Sequence, residues 1–120
     1  MSTPEGAILR SIMDYLAARH VFAVRMNSGT QIGAHKGKKW AIHMNAPGTA
    51  DILAFVSQWR GVDDKGNWCE FREIMPLWIE VKAAKGKQSE LQKSFQAQVE
   101  REGHRYAVCR SIEDVETALK

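Results

Sequence analysis

The sequence predicts an α/β domain built on a mixed sheet, with elements in the order helix, three strands, helix, strand, helix. Three observations predict it. A capped segment with an apolar stripe opens the chain at Thr3-Pro4. Two strand-like segments, Asp51–Val56 and Pro76–Ala83, each hold charge inside an apolar run. A helical pattern then separates the third strand from a fourth, Arg105–Cys109, and a crossover of that kind makes the two strands parallel. The 120 residues suit one domain, 1–120, with a single modest core.

The first helix is expected from about Pro4 to Arg19. Thr3 can cap it, and Pro4 suits a first helical position, where its missing N–H would have no partner anyway. Ile8, Ile12 and Leu16 or Tyr15 form its apolar stripe, and Glu5 falls on the same stripe. Val21–Asn27 reads as the first strand and Ser28-Gly29-Thr30 breaks it. Gln31–Met44 alternates as a small hairpin turning at Lys36-Gly37-Lys38. Asn45–Gly48 is a turn, and the second main strand, Asp51–Val56, follows it.

Residues 57–75 are the least regular. Arg60–Asn67 is rich in turn formers, but Trp59, Trp68 and Phe71 flank it, so a short hairpin excursion with buried aromatics is expected. After the third strand, Ala84–Gln88 is a loop and Ser89 caps a helix ending near Glu102, with Leu91, Phe95 and Val99 as its core stripe and Gly103 as its terminator. Ser111 and Asp114 resemble a capping box for a last helix bearing Val115 and Leu119.

Composition excludes several classes. No low-complexity tract suggests disorder, and no run approaches the ~18 apolar residues of a membrane span. Met1–Glu5 lacks the basic and apolar regions of a signal peptide, so cytoplasmic location is the expectation, with no membrane partner. Cys69 and Cys109 have no C-x-x-C partner, which speaks against a zinc ribbon and for two reduced thiols. The net charge of +3 is mild, but Lys36, Lys38 and Lys39 cluster, as do Lys82, Lys85 and Lys87. Such local patches suit a polyanion, and equally a solvated surface.

The chemistry concentrates in Gly48-Thr49-Ala50-Asp51 and Ile79-Glu80-Val81-Lys82. In the second segment Glu80 and Lys82 project from one face of a strand and Ile79 and Val81 from the other. A carboxylate and an ammonium on an apolar strand are costly unless they pair with each other or bind something. A further carboxylate, Asp51, on a neighbouring strand makes a metal site the natural explanation.

On these residues the chain resembles the VRR-NUC family, the virus-type replication-repair nuclease branch of the PD-(D/E)xK superfamily. The resemblance also draws on Glu5, Asn27-Ser28-Gly29, Gly86, Gln92 and Gly103–Val108, and so spans nearly the whole chain in order. Pro usually precedes the motif Asp in that family; here Ala50 stands there, which frees the backbone and keeps the ligand.

The resemblance implies a restriction-endonuclease-like fold, an αβββαβ core with a small inserted hairpin and a C-terminal helix. It implies metal-dependent hydrolysis of DNA, selective for branched forms such as four-way junctions, by a small homodimer; Trp40, Trp59, Trp68 and Trp78, many for so small a domain, could supply an interface, with some of them filling the core instead. Mg²⁺ or Mn²⁺ is the expected cofactor, with no nucleotide cofactor. Asp51 and Glu80 are the expected ligands, with the Val81 backbone carbonyl as a third and Glu5 at a possible second site. Lys82 would hold the attacking water or the phosphate, unless it forms a simple ion pair with Glu80. Gln92 would orient water or phosphate, unless it faces solvent. Lys36, Lys38, Lys39, Lys85 and Lys87 are the expected DNA-binding residues. The alternative is a nucleic-acid-binding module or replication accessory that keeps the fold without the chemistry.

Overall fold

Each helix begins where a side chain satisfies amides that the helix itself leaves free. In the computed structural model, which describes residues 3–26, 30–35, 38–43 and 47–120, helix α1 spans Pro4–Ala18 and Thr3 Oγ1 accepts the Gly6 N–H at 2.9 Å. Helix α2 spans Glu90–Arg101 and α3 spans Ile112–Leu119. At α3, Ser111 Oγ accepts the Asp114 N–H as expected, but Asp114 Oδ2 takes its bond from the Arg110 N–H, one residue before the cap.

The strands are β1 (Phe22–Arg25), β2 (Thr30–His35), β3 (Lys38–His43), β4 (Ile52–Val62), β5 (Trp68–Val81) and β6 (Arg105–Cys109). Four of them form a mixed sheet in the order β1-β4-β5-β6. β1, β4 and β5 pair antiparallel, and β5 pairs β6 in parallel through the α2 crossover. β2 and β3 form a separate antiparallel hairpin from Thr30↔His43 to His35↔Lys38, where the expected small hairpin lies. Alternation sets the two faces of the main sheet. Leu77, Ile79 and Val81 join Ile52, Ala54 and Val56 in one buried cluster with Leu9, Ile12 and Leu16 of α1 and Val115 of α3. Trp78 projects the other way and meets Phe95 of α2 edge-on at 5.0 Å between ring centroids.

Three expectations are corrected. Residues 57–75 form the expected hairpin, but it is no short excursion apart from the main strands: β4 and β5 continue past the body of the sheet as one paired ribbon, from Ile52↔Ile79 to Val62↔Trp68, with a bulge between Arg60 and Val62. The ribbon turns where Asp63 Oδ1 accepts the N–H groups of Lys65 and Asn67 and Gly66 takes a positive φ of 82°. Trp59 and Trp68 are also not buried there, since a two-stranded ribbon has no second layer to cover them. Leu91 leaves the α2 core stripe and stands exposed, because the helix faces the sheet through Phe95 and Val99. Both cysteines are free, Cys109 in the core with burial pushing its thiol up to about 12. No helix among the described residues is long and apolar enough to cross a membrane.

Candidate active site

The turn that delivers Asp51 is locked by geometry. Gly48 has φ +91°, and a Cβ there would come within 2.5 Å of the Leu91 carbonyl in the first turn of α2, so only glycine fits. Thr49 and Ala50 are buried behind it. Asp51 then stands at the end of the β4 ladder. Its carbonyl accepts the Met26 N–H at 2.7 Å, and its Oδ2 accepts the Val81 N–H, also at 2.7 Å. The carboxylate thus takes over the rung where the backbone pairing of β4 with β5 stops.

Glu80 lies across from it and is only 2% exposed. Its carboxyl is pushed up from the ordinary 4.5 to about 9, first by burial, then by its hydrogen bond to Asp51 and by the Asp51 charge. Glu5 pushes in the same direction, while Lys82 pulls the other way. Glu80 Oε1 is buried with no hydrogen-bond partner. An orphaned buried oxygen of this kind is costly unless a ligand or a proton partners it.

Around the pair, Lys82 is half-buried, and among the described residues no ion pair joins it to Glu80. Glu5 and Lys82 converge on Gly86: a Cβ on that glycine would sit 3.4 Å from Glu5 Oε1 and from Lys82 Cδ. The loop bearing exposed Lys85 and Lys87 is held by Arg110, whose guanidinium donates to the Ala83 and Gly86 carbonyls at 2.8 Å each. Asp51, Glu80, Lys82, Glu5 and this lysine loop are therefore brought together. Lys38 and Lys39 fall on β3, described as backbone, while Lys36 and the Asn27-Ser28-Gly29 segment lie outside the described residues.

Gln92 has a structural duty. Its Oε1 accepts the Ser89 N–H at 2.8 Å while Ser89 Oγ accepts the Gln92 N–H at 3.2 Å, a reciprocal capping box that starts α2. The side chain therefore reaches back along its own helix.

Sequence reasoning misses a polar group at this edge of the sheet. Gln88 Nε2 donates to Tyr106 Oη and to Gln96 Oε1, both at 3.0 Å. The Tyr106 hydroxyl is pushed up to about 12, by burial first, with Glu80 and Asp51 adding to it. Tyr106 alternates with the core residue Cys109 along β6 and pairs in register with Trp78, so a period-two reading of β6 would have set it on the site side.

The residues fit a hard divalent cation. Two facing carboxylates, one with an unpartnered oxygen, match a Mg²⁺ or Mn²⁺ that keeps several waters. Among the described residues no third Asp, Glu, His or Cys closes a fuller cage. The Val81 main chain, held against Asp51, lies beside the same pair. Comparison of the chain with protein-family models, curated proteins and solved structures gave no match.

Proposed function

We propose that this chain is a metal-dependent deoxyribonuclease with a VRR-NUC-like PD-(D/E)xK fold, hydrolysing phosphodiester bonds in branched DNA such as four-way junctions. One observation carries the reading: the buried Glu80 carboxyl beside Asp51, its Oε1 without a hydrogen-bond partner, with a lysine two residues on. The mixed sheet with its α2 crossover, and the exposed lysines beside the acidic pair, support it.

In this reading Asp51 and Glu80 hold Mg²⁺ or Mn²⁺, with the Val81 carbonyl as a third donor and Glu5 at the rim. The bound cation would supply positive charge to the phosphate and an ionisable water at neutral pH. Before it arrives, the Asp51–Glu80 pair holds a proton that loading must expel. Lys82, unpaired with Glu80, is left to hold a phosphate oxygen or the attacking water and to offset charge building on the phosphate. Lys85 and Lys87 bind the flanking backbone, which favours shape over base sequence. Gln92 acts on this site through the position of α2.

The second reading is a fold-preserving binding module in which Asp51 and Glu80 form a structural acid pair. The hydrogen bond between them favours it. One experiment separates the two. Wild type and Glu80→Gln are incubated with labelled four-way junction, splayed-arm and linear duplex DNA, in Mg²⁺, Mn²⁺ or EDTA. Metal-dependent cutting by wild type alone is expected; junction binding with no cutting of any substrate would give the case to the binding module.

A further inference from the structure

β1 stops short of the strand it pairs with. The ladder runs only from Arg25↔Ile52 to Phe22↔Phe55, while β4 continues to Val62. Beyond Phe55 no described strand lies along that edge of β4, so alternate main-chain groups of β4 face outward there. The chain folds across this gap as Arg19-His20-Val21 leads from α1 into β1. Together they enclose a cavity of about 480 Å³, a volume typical of small-molecule sites. Its β4 residues, 55–57, lie roughly 13–20 Å along the strand from Asp51.

Three basic side chains line the cavity from two elements: Arg19 and His20 at the end of α1, and Arg72 on β5. Ser57 adds a hydroxyl beside them, and among the described residues that line the cavity none is acidic. No ion pair among the described residues engages any of the three. Phe22 and Phe55 complete the wall, with ring centroids 5.6 Å apart and planes tilted by 37°. Phe22 is 69% exposed, so its ring is open to a ligand.

The backbone at the mouth is unusual. His20 has φ 59°, in the left-handed region. It closes a Schellman motif, its N–H donating to the Ala17 carbonyl at 3.1 Å and the Val21 N–H to the Leu16 carbonyl at 2.9 Å. Glycine fills such a position with least strain because it has no Cβ. A histidine there accepts strain and sets an imidazole at the cavity instead. The helix dipole favours a cation beside the last turn of α1, which accounts for Arg19, whose guanidinium also donates to Tyr15 Oη. It does not account for Arg72, which brings a second guanidinium to the same cavity from another element.

Charge and shape select the ligand. A phosphomonoester carries about −1.5 to −2 charges near neutral pH and three acceptor oxygens. A backbone phosphodiester carries one charge. Two guanidiniums, an imidazole and a hydroxyl around one cavity suit the monoester, since each guanidinium can grip phosphate oxygens in pairs. The adjoining phenylalanines suit a flat ring, which stacks on them whatever its substituents.

We infer that this cavity binds a small aromatic phosphomonoester of the nucleoside monophosphate class, its phosphate on Arg19, His20 and Arg72 and its ring on Phe22 and Phe55. No residue of this site belongs to the acidic pair, so the site stands or falls apart from the nuclease reading.

Isothermal titration calorimetry with deoxyadenosine monophosphate tests it, on the full chain in EDTA so that no metal can hold a phosphate at the acidic pair. Wild type and Glu80→Gln are both expected to bind one ligand per chain with the same affinity. Deoxyadenosine and inorganic phosphate, each carrying one part of the ligand, are expected to bind at least about 10-fold more weakly. Arg72→Gln, at an exposed strand position, should weaken binding by about 10- to 100-fold, and Phe22→Ser by about 5- to 100-fold, each with an unchanged circular dichroism spectrum. His20→Gly should lose affinity and yet melt no earlier than wild type, because glycine relieves the positive φ. No saturable binding to wild type overturns the inference. So does Arg72→Gln or His20→Gly binding as wild type does, or either half-ligand binding as tightly as the whole. A single-stranded oligonucleotide without terminal phosphates that binds where the mononucleotide does not would make the cavity part of a strand path, and would overturn it too.

Discussion

Asp51 and Glu80 meet as two carboxyl groups joined by a hydrogen bond at the end of the β4–β5 ladder, Asp51 pinned by the Val81 N–H at 2.7 Å and Glu80 shut away from solvent. A buried carboxyl beside a half-buried one is costly to ionise. Glu80 therefore keeps its proton at neutral pH, and in the nuclease reading that proton would connect stability, metal binding and activity.

Stability of the metal-free chain should fall as pH rises. Glu80 titrates at about 9 in the folded chain against an ordinary 4.5, so between those values the folded state keeps a proton that the unfolded state has lost. The contribution is full below the ordinary value and is lost as pH climbs through the folded one, with a slope of at most about 1.4 kcal/mol per pH unit. Thermal melts in EDTA from mildly acid to mildly alkaline buffer should show the decline, and Glu80→Gln should flatten it. Parallel profiles for the two proteins would mean that Glu80 ionises normally.

Metal should replace that proton. Mg²⁺ or Mn²⁺ at about 100 times Kd should stabilise wild type by about 2.7 kcal/mol, with affinity rising as pH rises. Calorimetry in buffers of differing ionisation enthalpy should record close to one proton released per ion at neutral pH. An unmoved Tm at saturating metal removes the assignment of Asp51 and Glu80 as ligands.

Asp51 is expected to separate structure from chemistry. Asp51→Asn keeps an acceptor for the Val81 N–H, whereas Asp51→Ala leaves that donor unpaired at a cost of about 1–3 kcal/mol. Both should abolish cutting, while only the alanine variant should melt early in EDTA. Equal melting of the two would show that the Val81 bond contributes nothing.

Lys82→Ala should bind junction DNA and shift its Tm with metal much as wild type does, yet cut about 100- to 1000-fold more slowly. Loss of the metal shift along with the cutting would recast Lys82 as a support for Glu80.

Gln92 calls for a paired substitution. Glutamate can complete the capping box as glutamine does, so Gln92→Glu should keep the stability of α2, while Gln92→Ala should lose about 0.5–2 kcal/mol. If cutting follows stability across the pair, the residue works only by holding the helix. A stable but inactive Gln92→Glu would return it to the site.

Much of this architecture is legible in the chain because its signals are local. Thr3-Pro4, Ser89 and Ser111 mark helix starts, and Arg105–Cys109 is a strand with the expected limits. The Glu80 and Lys82 spacing likewise reveals a charged side of an apolar strand. What escapes depends on distance along the chain or on what lies opposite. The Gln88–Tyr106 bond joins residues 18 apart, and only the register of β5 with β6 reveals it. Burial of Trp59 and Trp68 is expected on the premise that large aromatics fill their own core, and the ribbon has none to offer. Gln92 is a different case, for Ser89-Glu90-Leu91-Gln92 spells a capping box outright, and the family resemblance draws attention away from it.

The ladder that joins the acidic pair to the Asp63–Asn67 turn also separates what can vary from what cannot. Residue pairs added or removed two at a time near that turn would preserve which side every remaining residue faces, and Asp51 would stay opposite Glu80. Descendants of this chain can therefore lengthen, shorten or redecorate the outer ribbon while inheriting the acidic pair unchanged. Sequence drift in such a lineage should collect around that turn, leaving Gly48 and its contact with Leu91 as the fixed point from which the rest diverges.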